Sequence, residues 1–208
     1  MSDVLGVRIV PPRDRKSIRK NTYKLREVMG LKSVLYFPIM EFLELVIPQF
    51  IDPKFYVEPV EDERLPGRMA ETLPEEHLIR VRISVYDAAC KGHTWARKIM
   101  AHELGHYIYH DAKRIAYACA EPGARIPKEF MPEYQADVFA NELLAPINLI
   151  RGMNPHAVSQ RCGVPLSLAE GQLKQAAHTK VGRRKKKAAK RKRSTACQSH
   201  IFRMLEDV

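Results

Sequence analysis

His102-Glu103-Leu104-Gly105-His106 is the stretch from which the rest of the chain is read. It has the form H-E-x-x-H and lies in a segment of helical character, Thr94 to Tyr109. Residues four apart stack on one face of an α-helix, so His102 and His106 can present two imidazole nitrogens to one metal ion. Glu103 follows the first histidine by about 100° of helical rotation, which places its carboxylate beside the metal rather than on it. Two neutral imidazoles with an adjacent base are what a hydrolytic zinc site requires. The neighbours Trp95, Ala96, Ile99, Met100, Ala101, Leu104, Tyr107 and Ile108 are apolar on most sides and mark a helix buried in a core. Two histidines and a glutamate on an ordinary helix would need no metal. In a buried helix, however, ionisable groups are costly unless paired or metal-bound.

A tetrahedral zinc site that retains an open position needs a third protein ligand. Downstream, Glu133-Tyr134-Gln135-Ala136-Asp137-Val138-Phe139-Ala140-Asn141-Glu142-Leu143-Leu144 repeats apolar residues at helical spacing, and Pro146 closes the run. Glu133 at its start would complete the site. Asp137, one turn on, could accept the spare N–H of a ligating histidine and set its tautomer. The plainer alternative is that both acids simply favour the helix N-terminus by charge.

HELGHYIYH followed by EYQADVFANELLAP resembles the ImmA/IrrE metallopeptidases, whose pattern is HExxH, a spacer, then ExxADxFAxxLLxP. The match runs from about Thr94 to Pro146, and a vaguer similarity reaches from about Ser17 to near Ala177. The resemblance implies Zn2+ held by His102, His106 and Glu133, with Glu103 as catalytic base. The pair Glu133 and Asp137 is also similar to the E-x-x-x-D helix of thermolysin-like enzymes, where the glutamate binds zinc and the aspartate supports a histidine. The implied fold is α+β: a compact zincin-like metallopeptidase domain with a small sheet beside the HExxH helix. A helical segment and a disordered basic tail would follow it. The implied activity is zinc-dependent endopeptidase, with a helix-turn-helix transcriptional repressor as protein substrate in mobile-element or stress regulation. The basic tail departs from the family pattern.

The chain has 208 residues, material for one domain with a small appendage, and 45% apolar content is that of a globular protein. Net charge is +11, but residues 180–193 alone hold ten Lys or Arg and no acid, leaving 25 basic against 24 acidic residues elsewhere. The body is near neutral. Residues 1–146 are expected to form the catalytic domain with its N-terminal helices, 147–179 a helix-turn-helix-like segment and 180–208 the tail. Cys90, Cys119, Cys162 and Cys197 are widely spaced with no C-x-x-C, and the N-terminus has no signal pattern. Both point to reduced thiols in a cytoplasmic protein.

Ser17 to Met29 reads as a first helix, capped by Ser17 and ended by Gly30. Leu35 to Ile51 is very apolar, but Glu41 and Glu44 interrupt it and Pro38 and Pro48 bound it, so it is expected as a core helix and not a membrane span. Lys54 to Val60 reads as a strand and Leu65 to Glu76 as a loop. In His77 to Ile83, Ile79, Val81 and Ile83 alternate with Arg80 and Arg82, a half-buried strand that could pair with extended substrate or close a small sheet over the helix, two compatible roles. Tyr86 to Lys91 reads as a turn, with Thr94 capping the next helix. His77 and His93 read as solvated. His110 lies about 12 Å along the helix from His102 and reads as structural. Asp111 to Met131 is expected to be an irregular loop on the cleft rim.

Residues 147–177 have the outline of a helix-turn-helix, with Gln172, Lys174 and Gln175 as base-reading candidates, although packing against the catalytic body is the better reading. The tail carries Arg183, Arg184, Lys185, Lys186, Lys187, Lys190, Arg191, Lys192 and Arg193. These cations would give salt-sensitive, sequence-independent contact with nucleic acid, or simply solvate the tail. Tyr107, Tyr109 and Tyr134 are candidate oxyanion stabilisers. The alternative functions are a non-proteolytic regulator that binds a transcription factor or DNA, and a toxin-like component of a two-gene module.

Overall fold

The computed structural model describes residues 7–110, 116–118 and 125–178. It is a mostly helical α+β arrangement with a small mixed sheet. Arg183 to Arg193, Cys119, Cys197 and most of the 111–131 connection lie outside the described residues. Among the described residues, no helix is long and apolar enough to cross a membrane.

A short strand, Val7–Ile9 (β1), leads into the helix Arg15–Val28 (α1). Asp14 caps that helix by accepting the Ser17 backbone N–H at 2.7 Å, so the cap lies three residues before the serine that the pattern suggested. Ile18, Thr22 and Leu25 form the buried stripe, and Gly30 ends the helix region with φ +72. The apolar run expected as a core helix begins as one helical turn, Ile39–Glu41 (α2), and then widens into a π-helix, Phe42–Ile51. Pro48 sits inside it, where an α-helical path would crowd the proline ring against the carbonyl four residues back. Phe42, Leu43 and Ile47 carry this element into the core.

The sheet has the order β2-β4-β3, formed by Tyr56–Val60 (β2), Ala70–Leu73 (β3) and Leu78–Arg82 (β4). β4 pairs parallel with β2 and antiparallel with β3. Three sequence readings are corrected here. Part of the stretch expected as a loop is β3, whose four residues are all half-buried and so carry no alternating signal. The expected turn at Tyr86 is part of a helix, Ile83–Cys90 (α3). And β4 is the central strand: both of its backbone edges are already bonded, so it has no edge left for substrate.

The two site helices are Thr94–Tyr109 (α4) and Pro132–Leu144 (α5). His93, not Thr94, occupies the cap position of α4, and no side chain caps it. The two helices pack closely because α4 carries Gly105 at the crossing. A Cβ there would meet the Ala136 Cα at 3.0 Å, its carbonyl at 3.2 Å and the Phe139 ring at 3.2 Å. The short strand Ala116–Ala118 (β5) pairs antiparallel with β1.

Ile147–Ile150 (α6), Pro155–Cys162 (α7) and Leu166–His178 (α8) complete the chain. Val158, Cys162, Val164, Leu168 and Ala169 belong to the same buried cluster as α4 and α5. Gln172 is buried and donates to the Asn141 and Ala145 carbonyls at 3.0 and 2.9 Å, which removes it from the set of residues able to read a base. Arg97 of α4 reaches the α7–α8 turn, donating to the Gly163 carbonyl at 3.0 Å and to the Phe37 carbonyl at 2.8 Å. Its guanidinium also lies 3.9 Å above the Tyr36 ring.

Candidate metal centre

One turn of α4 separates His102 from His106, and α5 brings Glu133 across to both. The Nε2 atoms of the two histidines are 3.0 Å apart. Glu133 Oε2 lies 3.2 Å from His102 Nε2, and Glu133 Oε1 lies 3.4 Å from His106 Nε2. A tetrahedron with zinc–ligand bonds of about 2.0–2.1 Å has edges of about 3.3 Å; the two imidazole nitrogens, and for each of them one Glu133 oxygen, lie near that spacing. Among the described residues this is the group of histidine and carboxylate side chains able to hold a metal ion. Two imidazoles and one carboxylate are the donor set of hydrolytic zinc centres.

The electrostatics follow from that crowding. Burial opposes the charged form of His102. Hydrogen bonds to Asp137 and Glu133 overcome it and push its pKa up to about 9. The Glu133 carboxylate, hydrogen-bonded above all by His102, is held well below the usual carboxylate range. Asp137 is lowered by its bond to His102, whose Nδ1 lies 3.2 Å from Asp137 Oδ1. Lys98, one turn before His102, places its ammonium 3.6 Å from the same oxygen.

Glu103 is 9% exposed and is not one of the three groups that could hold a metal ion. The Thr72 hydroxyl of β3 donates to Glu103 Oε2 at 2.6 Å, which fixes the carboxylate while leaving its second oxygen for other work. Nothing in the sequence singled out Thr72, because it lay in a stretch read as loop.

His102, Glu103, His106, Glu133 and Asp137 all line one cleft of about 640 Å³. Its opposite wall is the β3 side, including Arg68, Met69 and Thr72. The three tyrosines are placed elsewhere. Tyr107 packs its ring on Phe55 at 4.7 Å and donates its hydroxyl to Asp52; burial, and then that carboxylate, raise its pKa strongly. Tyr109 is buried against Phe139, under the Arg13 guanidinium at 4.6 Å. Tyr134 lies beneath Lys128. None of the three lines the cleft, because the helix periodicity that turns His102 and His106 toward it turns these rings away.

His77, expected as solvated, is tied by Nδ1 to Asp52 Oδ2 at 2.6 Å. His110, read as structural, lines the cleft and lies 2.9 Å from the far nitrogen of His106. Compared with models of known protein families and with curated proteins, the chain finds no match.

Proposed function

We propose that this chain is a cytoplasmic zinc-dependent endopeptidase of the ImmA/IrrE kind, built on a zincin-like body, whose substrate is a helix-turn-helix repressor. The observation that carries the reading is the convergence of His102, His106 and Glu133 at 3.0–3.4 Å beside a separately held Glu103. Zinc held there would lower the pKa of a water in its open position toward about 7 and polarise a scissile carbonyl.

The chain's own residues would supply the rest. Glu103, steadied by Thr72, takes the proton of the attacking water and later delivers it to the leaving amine. Asp137 holds His102 through Nδ1 so that Nε2 faces the metal. With the tyrosines outside the cleft, Lys98 and Arg68 are the Lys and Arg side chains that line it, and either would meet developing negative charge by turning from its present carboxylate, Asp137 or Glu71. β3 is an edge strand beside the cleft, and an extended peptide could add to it by main-chain hydrogen bonds, the role first assigned to β4. The basic tail would add phosphate affinity toward a repressor seated on DNA.

Co-expression with a candidate helix-turn-helix repressor, followed by mass spectrometry of fragments, tests the activity. Glu103→Gln is expected to keep zinc by metal analysis and to lower cleavage by about 10²–10⁴-fold. Unchanged regulation by that variant, with no fragments from the wild type, would move the protein to the non-proteolytic binding class.

A further inference from the structure

His106 can serve a metal through Nε2 only if its proton sits on Nδ1, and the partner at Nδ1 is not a carboxylate or a carbonyl. It is another imidazole, the Nδ1 of His110, at 2.9 Å. A histidine can accept or donate at that atom, so the contact alone leaves the tautomer open. Gln135 closes the question. Its side chain is fully buried on the first turns of α5. Its Nε2 lies 2.8 Å from the Pro11 carbonyl and 2.7 Å from the Glu129 carbonyl. Both are acceptors only, so the amide must present its NH2 to them and its oxygen to the other side. That oxygen lies 3.3 Å from His110 Nε2.

The consequences run in one direction. Gln135 Oε1 accepts, so His110 Nε2 carries a proton. The 2.9 Å contact between the two Nδ1 atoms has room for one proton, and a His106 that ligates through Nε2 must carry it, so His110 Nδ1 is the acceptor. A bare Nδ1 accepts from His106 Nδ1–H, which leaves the Nε2 lone pair of His106 directed at Glu133 and His102. We infer that Gln135 and His110 form a tautomer relay that sets His106 as an Nε2 ligand, anchored on the backbone carbonyls of Pro11 and Glu129. The inference rests on the reading of His106 as a metal ligand. Both relay residues act through His106 and are positioning residues. The two ligating histidines are thus oriented differently: His102 by the acid Asp137, His106 by a chain of neutral groups that ends on backbone.

The test has two parts. Long-range proton–nitrogen NMR of the metal-free full chain, at a pH where its imidazoles are neutral, reads each tautomer directly. The expected result is a proton on Nδ1 of His106 and on Nε2 of His110. A proton on Nε2 of His106, or on both nitrogens of His110, overturns the relay, and no variant needs to fold for this to be seen. Zinc affinity by chelator competition is the second part. His110→Phe is expected to bind zinc about 10–100-fold more weakly. His110→Gln can accept from His106 and donate to Gln135, and is expected to return to within about threefold of wild type. Equal affinity in wild type and His110→Phe overturns the relay. The expected tautomers in a wild-type chain that takes up no zinc would support the relay and remove the peptidase reading. Zinc uptake with the opposite tautomer would do the reverse.

Discussion

His102 has both ring nitrogens committed, one to Asp137 and the other to Glu133 and His106. In the metal-free protein this favours the imidazolium, with a pKa near 9 against an ordinary value of 6.5. The sign follows from the direction. A raised folded pKa contributes stability that is complete below the unfolded value near 6.5 and is lost as pH rises through about 9. Zinc reverses the preference, because only the neutral ring ligates. Zinc binding near pH 7.5 is therefore expected to displace about one proton from His102, and affinity should climb with pH until about 9 and then level off. Calorimetry in buffers of different ionisation enthalpy measures the released proton. Binding enthalpies that do not depend on the buffer would show that His102 is already neutral.

Between elements, the distance from α4 to α5 decides whether Glu133 reaches the histidines. Gly105 lies at that crossing, and two of the atoms nearest its absent Cβ are backbone atoms of Ala136, which cannot rotate away. Gly105→Ala would gain roughly 0.5–1 kcal/mol of helix propensity. It would lose about 1–3 kcal/mol by overpacking, so the clash is expected to prevail. The expected outcome is a lower urea midpoint together with weaker zinc binding. A variant more stable than wild type, with unchanged zinc affinity, would mean that the two helices have room to spare. At the same scale, the small sheet divides its duties. β4 supplies the buried Ile79 and Val81, while β3 supplies Thr72 to Glu103 and keeps an outer edge beside the cleft.

Across the whole molecule, buried charges tie distant segments together. Glu142 of α5 is fully buried and accepts from Arg15 at 3.1 Å and from Arg19 at 2.9 and 3.0 Å. Arg15 also donates to Gln172 of α8 at 3.1 Å, so its guanidinium joins α1 to both α5 and α8. Arg26 is buried, with its pKa lowered to about 10 by desolvation, and it donates to the Leu143 carbonyl at 2.6 Å. Truncating one member of a buried ion pair costs about 3–5 kcal/mol. The Arg15 and Arg19 side chains keep 25% and 23% exposure and can turn to water. Glu142→Ala is therefore expected near the lower end, about 3 kcal/mol in urea unfolding. A loss under about 1 kcal/mol would show that the α1–α5–α8 junction is held by its apolar contacts alone.

Local periodicity by itself determined which residues share a helix face. The four-residue step places His102 with His106 and Glu133 with Asp137, and the apolar runs mark both helices as buried; each is a property of one hydrogen-bonded segment. The same rule placed the three tyrosines no more finely than on their helices, because it does not say which face meets the cleft. Thr72 and Gln135 were illegible for another reason: Thr72 acts on Glu103 and Gln135 on His110, partners in distant segments, and no segment's own pattern encodes those meetings. His110 stands one turn past His106, so its place on that face was legible, but its bond to Gln135 was not. β3 is too short and too evenly half-buried to alternate, and β4 alternates whether it is an edge or a centre. Tertiary packing alone decided how near α5 comes to α4, since that separation is the summed fit of Gly105, Ala136, Phe139 and the core around them.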